Sequence, residues 1–362
     1  MRTTSLALTL LIVVIIAAIA RSQTAAPPAM PPTKLVDTYS MPQGWTFPAP
    51  AKRAAEPVAD PLTAGPAKAN FTETNPNSPV VMGAKLTLIA GGFKFTEGPT
   101  SNDKGDIFFI DQDNDRIMEY SAAGEMSTWM KPSGYSNGMC FDNKGNIISC
   151  ADEMSQLWSI APDKTVTVLV TGYQGKYLNG PNDVWVRPDG GMYITDPFYK
   201  RTWWIQRGGN MEQDKQGVYY LSPDHKTLTR VIDDFQQPNG IIGTPDGKIL
   251  YVSDIRGGKT FSYTPQPDGS LTNKTLFCNI GSDGMTIDSD GNIYTSAQGG
   301  LEITDKTGKL IEKIPVNAAN CCFGPQPASD RRHIHEKDNI AMHRAACRER
   351  NACALEECCS AI

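Results

Sequence analysis

Histidine is scarce in this chain: four residues, of which His333, His335 and His343 fall in the last 39 positions. The body retains only His225, in a Pro-Asp-His-Lys turn. That leaves a serine nucleophile without a base. Gly134-Tyr135-Ser136-Asn137-Gly138 does match G-x-S-x-G, but a strand-like run follows it where a nucleophile elbow needs a helix. No P-loop or dinucleotide fingerprint is present. No basic block occurs and the net charge is −5, which argues against nucleic acid or an anionic membrane as partner. The longest apolar run, residues 6–20, is interrupted only by Thr9 and falls short of the ~20 residues that span a bilayer. With one Arg before it and Ala18-Ile19-Ala20 at its end, it reads as a cleaved export signal over 1–20. A secreted or periplasmic protein is expected, free of the membrane after cleavage; an uncleaved N-terminal anchor is the alternative.

What the chain has in quantity is one recurring pattern: a polar turn, a short apolar strand, an Asp/Asn/Gly hairpin and a second strand. Asn182-Asp183-Val184 leads through Pro188-Asp189-Gly190-Gly191 to Tyr193-Ile194-Thr195-Asp196. Asn239-Gly240-Ile241 leads through Pro245-Asp246-Gly247 to Tyr251-Val252-Ser253-Asp254. Copies also start at Glu97-Gly98-Pro99, Asn137-Gly138-Met139 and Asp283-Gly284-Met285, and a sixth starts at Asn320-Cys321-Cys322-Phe323. In register, one position carries Glu97, Asn137, Asn182, Asn239, Asp283 and Asn320, spaced 40, 45, 57, 44 and 37 residues apart. Short strands repeating at periods of ~40–50 mark a β-propeller. The expected fold is all-β, a six-bladed β-propeller over 81–323 whose last blade is incomplete or aberrant. Residues 85–90 read as a strand that precedes the first repeat and helps close the ring. A Pro/Ala-rich linker or arm occupies 21–80.

After Phe323 no strand pattern survives, and the segment 324–362 carries Cys347, Cys353, Cys358 and Cys359 with the three histidines. The spacings fit no zinc pattern. An aberrant, disordered tail is expected, with a metal-binding or disulfide-forming tail as alternatives. Cys140 and Cys150 lie on adjacent strands of one hairpin and read as core residues. Asn70-Phe71-Thr72 and Asn273-Lys274-Thr275 fit the glycosylation sequon.

A position shared by all blades of a propeller lies on one ring about the axis, and here every member bears a side-chain oxygen. Two carboxylates and several amides converging there would suit a hard divalent cation, calcium before magnesium, manganese or zinc. The competing reading is that Asn and Asp merely shape the turn entering each inner strand.

Several of these motifs together resemble the gluconolactonase/regucalcin (senescence-marker protein) family: Glu97-Gly98-Pro99, Leu178-Asn179-Gly180-Pro181-Asn182-Asp183, Tyr193-Ile194-Thr195-Asp196-Pro197, Pro238-Asn239-Gly240, Tyr251-Val252-Ser253-Asp254 and Asp283-Gly284-Met285. The resemblance covers roughly 97–323. It implies a six-bladed propeller with one axial divalent cation, often calcium, on Glu97, Asn182, Asn239 and Asp283. Asn137 and Asn320 share the ring position without being standard ligands, which implies substrate contact or support of the ligands. The chain departs from the family after Phe323, where a proper final blade is missing. The implied activity is hydrolysis of a sugar lactone, a small-molecule substrate, with Asp283 as both ligand and general base. Weaker candidates are Asp196 and Asp254 at strand ends, Arg201 in the basic, aromatic segment Phe198-Tyr199-Lys200-Arg201-Thr202-Trp203-Trp204, and Lys176 and Tyr177 before the Asn182 turn. The alternative from another class is a non-catalytic exported propeller that binds a sugar or a protein and uses calcium structurally. A monomer is expected.

Overall fold

The structure, a computed structural model, describes residues 78–80, 85–86, 88–204 and 209–324, with the strand positions 38–40 and 69–70. The expected export signal over 1–20, most of the expected arm over 21–80 and nearly all of the expected tail over 324–362 lie outside the described residues.

Five antiparallel four-stranded sheets follow one another along the chain. Blade one runs Thr96–Ser101, Ile107–Asp111, Arg116–Tyr120 and Met126–Met130. Blade two runs Ser136–Phe141, Ile147–Ala151, Gln156–Ile160 and Val166–Val170. Blade three consists of Val184–Val186, Met192–Asp196, Gly217–Leu221 and Thr227–Ile232, and Thr38–Ser40 from the N-terminal arm adds a fifth strand at its outer edge. Blade four is Pro238–Gly243, Leu250–Asp254, Lys259–Pro265 and Leu271–Cys278; blade five is Met285–Ile287, Ile293–Ala297, Gly300–Thr304 and Leu310–Ile314. In each blade the second strand is buried on both faces, while fourth strands such as Leu271–Cys278 are largely exposed. The hairpins between first and second strands are closed by side-chain turns: Asp142 Oδ1 accepts from the backbone N–H of Lys144 and Asn146, and Asp288 repeats this with Asp290 and Asn292.

The blade count corrects the sequence-based expectation. Among the described residues there are five four-stranded blades, not six. The difference is local: the described part of the sixth copy is the segment 320–324, and the rest of that copy lies outside the described residues. That segment nevertheless fills the gap between blades five and one. Cys321 and Phe323 pack with Tyr294, Leu301 and Ile303 of blade five, the Phe323 ring standing edge-on to Tyr294 at 5.1 Å. Cys322 packs with Ile107, Phe109 and Met118 of blade one, and Gly324 lies against the Ile107 side chain. The expected strand over 85–90 is present as Lys85–Leu86, paired with Ala69–Asn70, and Leu86 packs with the blade-five cluster.

Cys140 and Cys150 are free thiols packed in the core between blades two and three. Ser136 is fully buried inside blade two; its Oγ donates to the Ser133 carbonyl (2.7 Å) and accepts from Ser149 Oγ (2.7 Å), so it presents no nucleophile.

Candidate active site

First strands line the axis, and the ring residues leave those strands where the ladder is interrupted. In blade one the register shifts between Glu97 and Thr100; in blade two it shifts between Ser136 and Met139; in blade four it shifts between Pro238 and Ile241. Each shift is a bulge that contains the ring position, and a bulge re-aims a side chain out of the sheet. In blades three and five the paired strand begins only after the ring residue, at Val184 and Met285.

The six positions form a closed circuit. A Cβ on Gly98 would strike the Asn137 carbonyl, and Gly98 holds a left-handed φ of +52°, which only glycine adopts freely. The Gly138 N–H donates to the Asn182 carbonyl (2.6 Å). Asp183 accepts from the Ile241 N–H of blade four at 3.4 Å. The Gly240 N–H donates to the Ser282 carbonyl (3.4 Å), and Gly284 leaves room for the Asn320 side chain. Asn320 Oδ1 accepts from the Cys321 N–H (2.8 Å), and the Asn320 side chain is near enough to Glu97 to lower its carboxyl slightly, which brings the circuit back to blade one.

Within this circuit Asn239 is fully buried and its Nδ2 donates twice, to Asp283 Oδ1 (2.8 Å) and to the Tyr199 hydroxyl oxygen (2.9 Å). Those two bonds fix the amide so that Oδ1 faces away from them, and that oxygen is buried with no partner. Asn137 Oδ1 is in the same state. An unpaired buried oxygen costs roughly 1–3 kcal/mol unless something occupies its lone pairs. Burial first, and the neighbouring Asp283 carboxylate second, raise the Glu97 carboxyl well above the usual range. Burial likewise pushes Asp283 up to about 6, against the Asn239 hydrogen bond and the Arg201 charge, which lower it. Acceptor oxygens without donors and carboxylates without a bonded cation fit a hard divalent cation. Among the described residues no group of three His, Cys, Asp or Glu side chains has metal-holding geometry, so a cation here would rest on amides as much as carboxylates.

The structure links Glu97, Asn239, Asp283 and Asn320 through hydrogen bonds or mutual field, and ties Asn137 and Asn182 into the circuit through their carbonyls. It takes Asp196 and Asp254 elsewhere. Asp196 accepts from the N–H groups of Asn179 and Gly180, and Asp254 from those of Gln236, Gln237 and Gly257, so both brace the loops that lead into first strands. The carbonyls of Lys176 and Tyr177 accept from Gln213 Nε2 at 3.4 and 2.8 Å.

Two site residues escaped the sequence reading. Asp183 is buried where four other copies have Gly98, Gly138, Gly240 and Gly284. Burial lifts its carboxyl to about 7, despite the N–H groups of Val184 and Ile241 that it accepts from, and its charge adds to the field on Glu97. The break in the glycine pattern was the available signal. Tyr199 is the other. Its loop, 198–204, crosses from blade three: Tyr199 meets Asn239 of blade four, Arg201 Nε pairs with Asp152 Oδ2 in the turn between the second and third strands of blade two (3.1 Å), and Trp203 stacks on Tyr135 at 4.6 Å. The Trp204 indole N–H donates to the Asp152 carbonyl (2.7 Å). Nothing in the sequence gave the direction of that crossing.

A family model described as the SMP-30/Gluconolactonase/LRE-like region matches residues 95–330. A gluconolactonase of Zymomonas mobilis is 30% identical over 271 residues, covering 66% of this chain and 76% of that protein. A solved gluconolactonase from Xanthomonas campestris superposes with a TM-score of 0.61 at 25% identity, over 75% of this chain and 92% of that one. A calcium-binding regucalcin from Agrobacterium tumefaciens, 17% identical with a TM-score of 0.53 over 69% of this chain and 86% of its own, shares the fold.

Proposed function

The chain belongs to the SMP-30/gluconolactonase/LRE-like family and is a lactone-opening hydrolase; we propose that it opens sugar lactones at the axial ring, with one divalent cation, calcium favoured, held by Glu97, Asn182, Asn239 and Asp283. The observation that carries the cation is the Asn239 amide, pinned by Asp283 and Tyr199 with its Oδ1 buried and unpartnered. The calcium named for the Agrobacterium fold relative supports the choice of ion. Bound there, a cation would supply Lewis-acid polarisation of the lactone carbonyl.

The chain's own residues do the rest. Asp283 would accept the proton of an attacking water and return it to the ring oxygen as the C–O bond breaks. Asn239 holds Asp283 Oδ1 in place through Nδ2. Asn320 adjoins Glu97, and Asp183 braces blade four against blade three through Ile241. The test is proton release from glucono-1,5-lactone with calcium, with zinc and with EDTA. Calcium-supported turnover that EDTA abolishes is expected. Cation binding without turnover would instead support the non-catalytic binding propeller.

A further inference from the structure

The ring is rich in acceptors; the loop that crosses it is rich in donors. Arg201 lies against two aromatic rings, its guanidinium carbon 5.4 Å from the centroids of both Tyr199 and Trp203. Its Nε is committed to Asp152 Oδ2 at 3.1 Å, and the side chain is 20% exposed. Among the described residues its two terminal nitrogens have no hydrogen-bond partner. The Trp203 indole N–H is buried and unpaired. The Tyr199 hydroxyl oxygen accepts from Asn239 and has no acceptor of its own among the described residues, so its proton is uncommitted. Burial raises the Tyr199 hydroxyl above its ordinary value, which keeps that proton in place. Donors on residues 199, 201 and 203 thus lie close together, and the Tyr135 ring stacks on Trp203.

A guanidinium held by its Nε and packed against two aromatic rings is restrained, and its terminal edge is a planar two-pronged donor. That shape matches a carboxylate held bidentately better than it matches a hydroxyl. The stack joins the ring through Tyr199 and Asn239, and the Arg201 charge acts on Asp283.

Resting on the lactone-hydrolase reading, we propose that Arg201, flanked by Tyr199 and Trp203, is a carboxylate-binding subsite, and that the preferred substrate is a sugar-acid lactone bearing a second carboxylate away from the ring carbonyl. The lactone carbonyl would meet the acceptor-rich ring while the remote carboxylate meets the donor-rich loop.

Two lactones that differ only at C6 test this: D-glucono-1,4-lactone, with a hydroxymethyl group, and D-glucaro-1,4-lactone, with a carboxylate. Affinity is read from quenching of tryptophan fluorescence at fixed calcium, and opening from proton release. Wild type is expected to bind the glucaro-lactone at least about tenfold more tightly. Arg201→Met should bring the two to near parity, and Arg201→Lys, which keeps charge but not the fork, should restore only part of the preference. If Arg201→Met melts early because the buried Asp152 loses its Arg201 partner, the Arg201→Met/Asp152→Asn double variant carries the same comparison. Equal affinities in wild type, or a preference that survives Arg201→Met, overturn the subsite. Discrimination in binding with neither lactone opened keeps the subsite and defeats the hydrolase reading. Opening of both with equal affinity does the reverse.

Discussion

Asn239 can present its oxygen to a cation only while its nitrogen has somewhere else to go. Tyr199 and Asp283 supply both acceptors, at 2.9 and 2.8 Å. Removing the tyrosine hydroxyl leaves one bond of the two, and a single neutral hydrogen bond is worth about 0.5–1.5 kcal/mol. Tyr199→Phe is therefore expected to weaken calcium binding roughly 3- to 10-fold in a calorimetric titration, since ~1.4 kcal/mol is tenfold. Unchanged affinity would remove Tyr199 from the positioning of Asn239. Asp283 combines ligand and base, so Asp283→Ala is expected to abolish calcium-dependent lactone opening; turnover persisting in a metal-loaded Asp283→Ala protein would exclude that role.

The elements around the axis depend on close approach. Gly284 sits where any Cβ would collide with Asn320, and Asn320 adjoins Glu97. Gly284→Ala is expected to cost about 1–3 kcal/mol in urea unfolding, as overpacking in a tight core does, and to loosen the cation site as well. Phe323 anchors the segment that bridges blades five and one, so Phe323→Ala should cost about 3 kcal/mol or more. A negligible change in the denaturation midpoint of either variant would mean the closing segment is dispensable.

This is also the scale at which the sequence was most informative and then stopped. The in-register Glu97, Asn137, Asn182, Asn239, Asp283 and Asn320 gave the ring, because a repeated hairpin fixes its own local geometry. The same register gave the inward turn of the first strands. Six blades were expected; the described part of the sixth copy, up to 324, instead packs as a short segment against blades five and one. Asp183 was hidden by treating each polar turn as equivalent, although it replaces glycine in one copy only. Loop 198–204 was unreadable because its path is set by tertiary partners, Asp152, Tyr135 and Asn239, that lie on other blades.

For the molecule as a whole, the buried acids set the response to pH. Asp183 and Asp283 titrate near 7 and 6 in the folded chain, and Glu97 is shifted the same way, against ~4 for free carboxyls. The folded state holds these protons more tightly than the unfolded state does. Their contribution to stability is complete below about pH 4 and is lost as pH rises through 6 to 7. In EDTA the urea midpoint is expected to fall between pH 5 and pH 7.5, and saturating calcium should reverse the fall by binding the ionised form. A midpoint that rises over that interval without metal would contradict the burial of these groups.

The most direct test of the central claim, that side chains from separate blades form a single cation cage, is the calcium stoichiometry of wild type and of the Glu97→Gln/Asp283→Asn double variant, measured by calorimetry on proteins with matched far-ultraviolet spectra. The account predicts one calcium per chain in wild type and none in the variant. Equal binding by both proteins, or no binding by wild type, would contradict it.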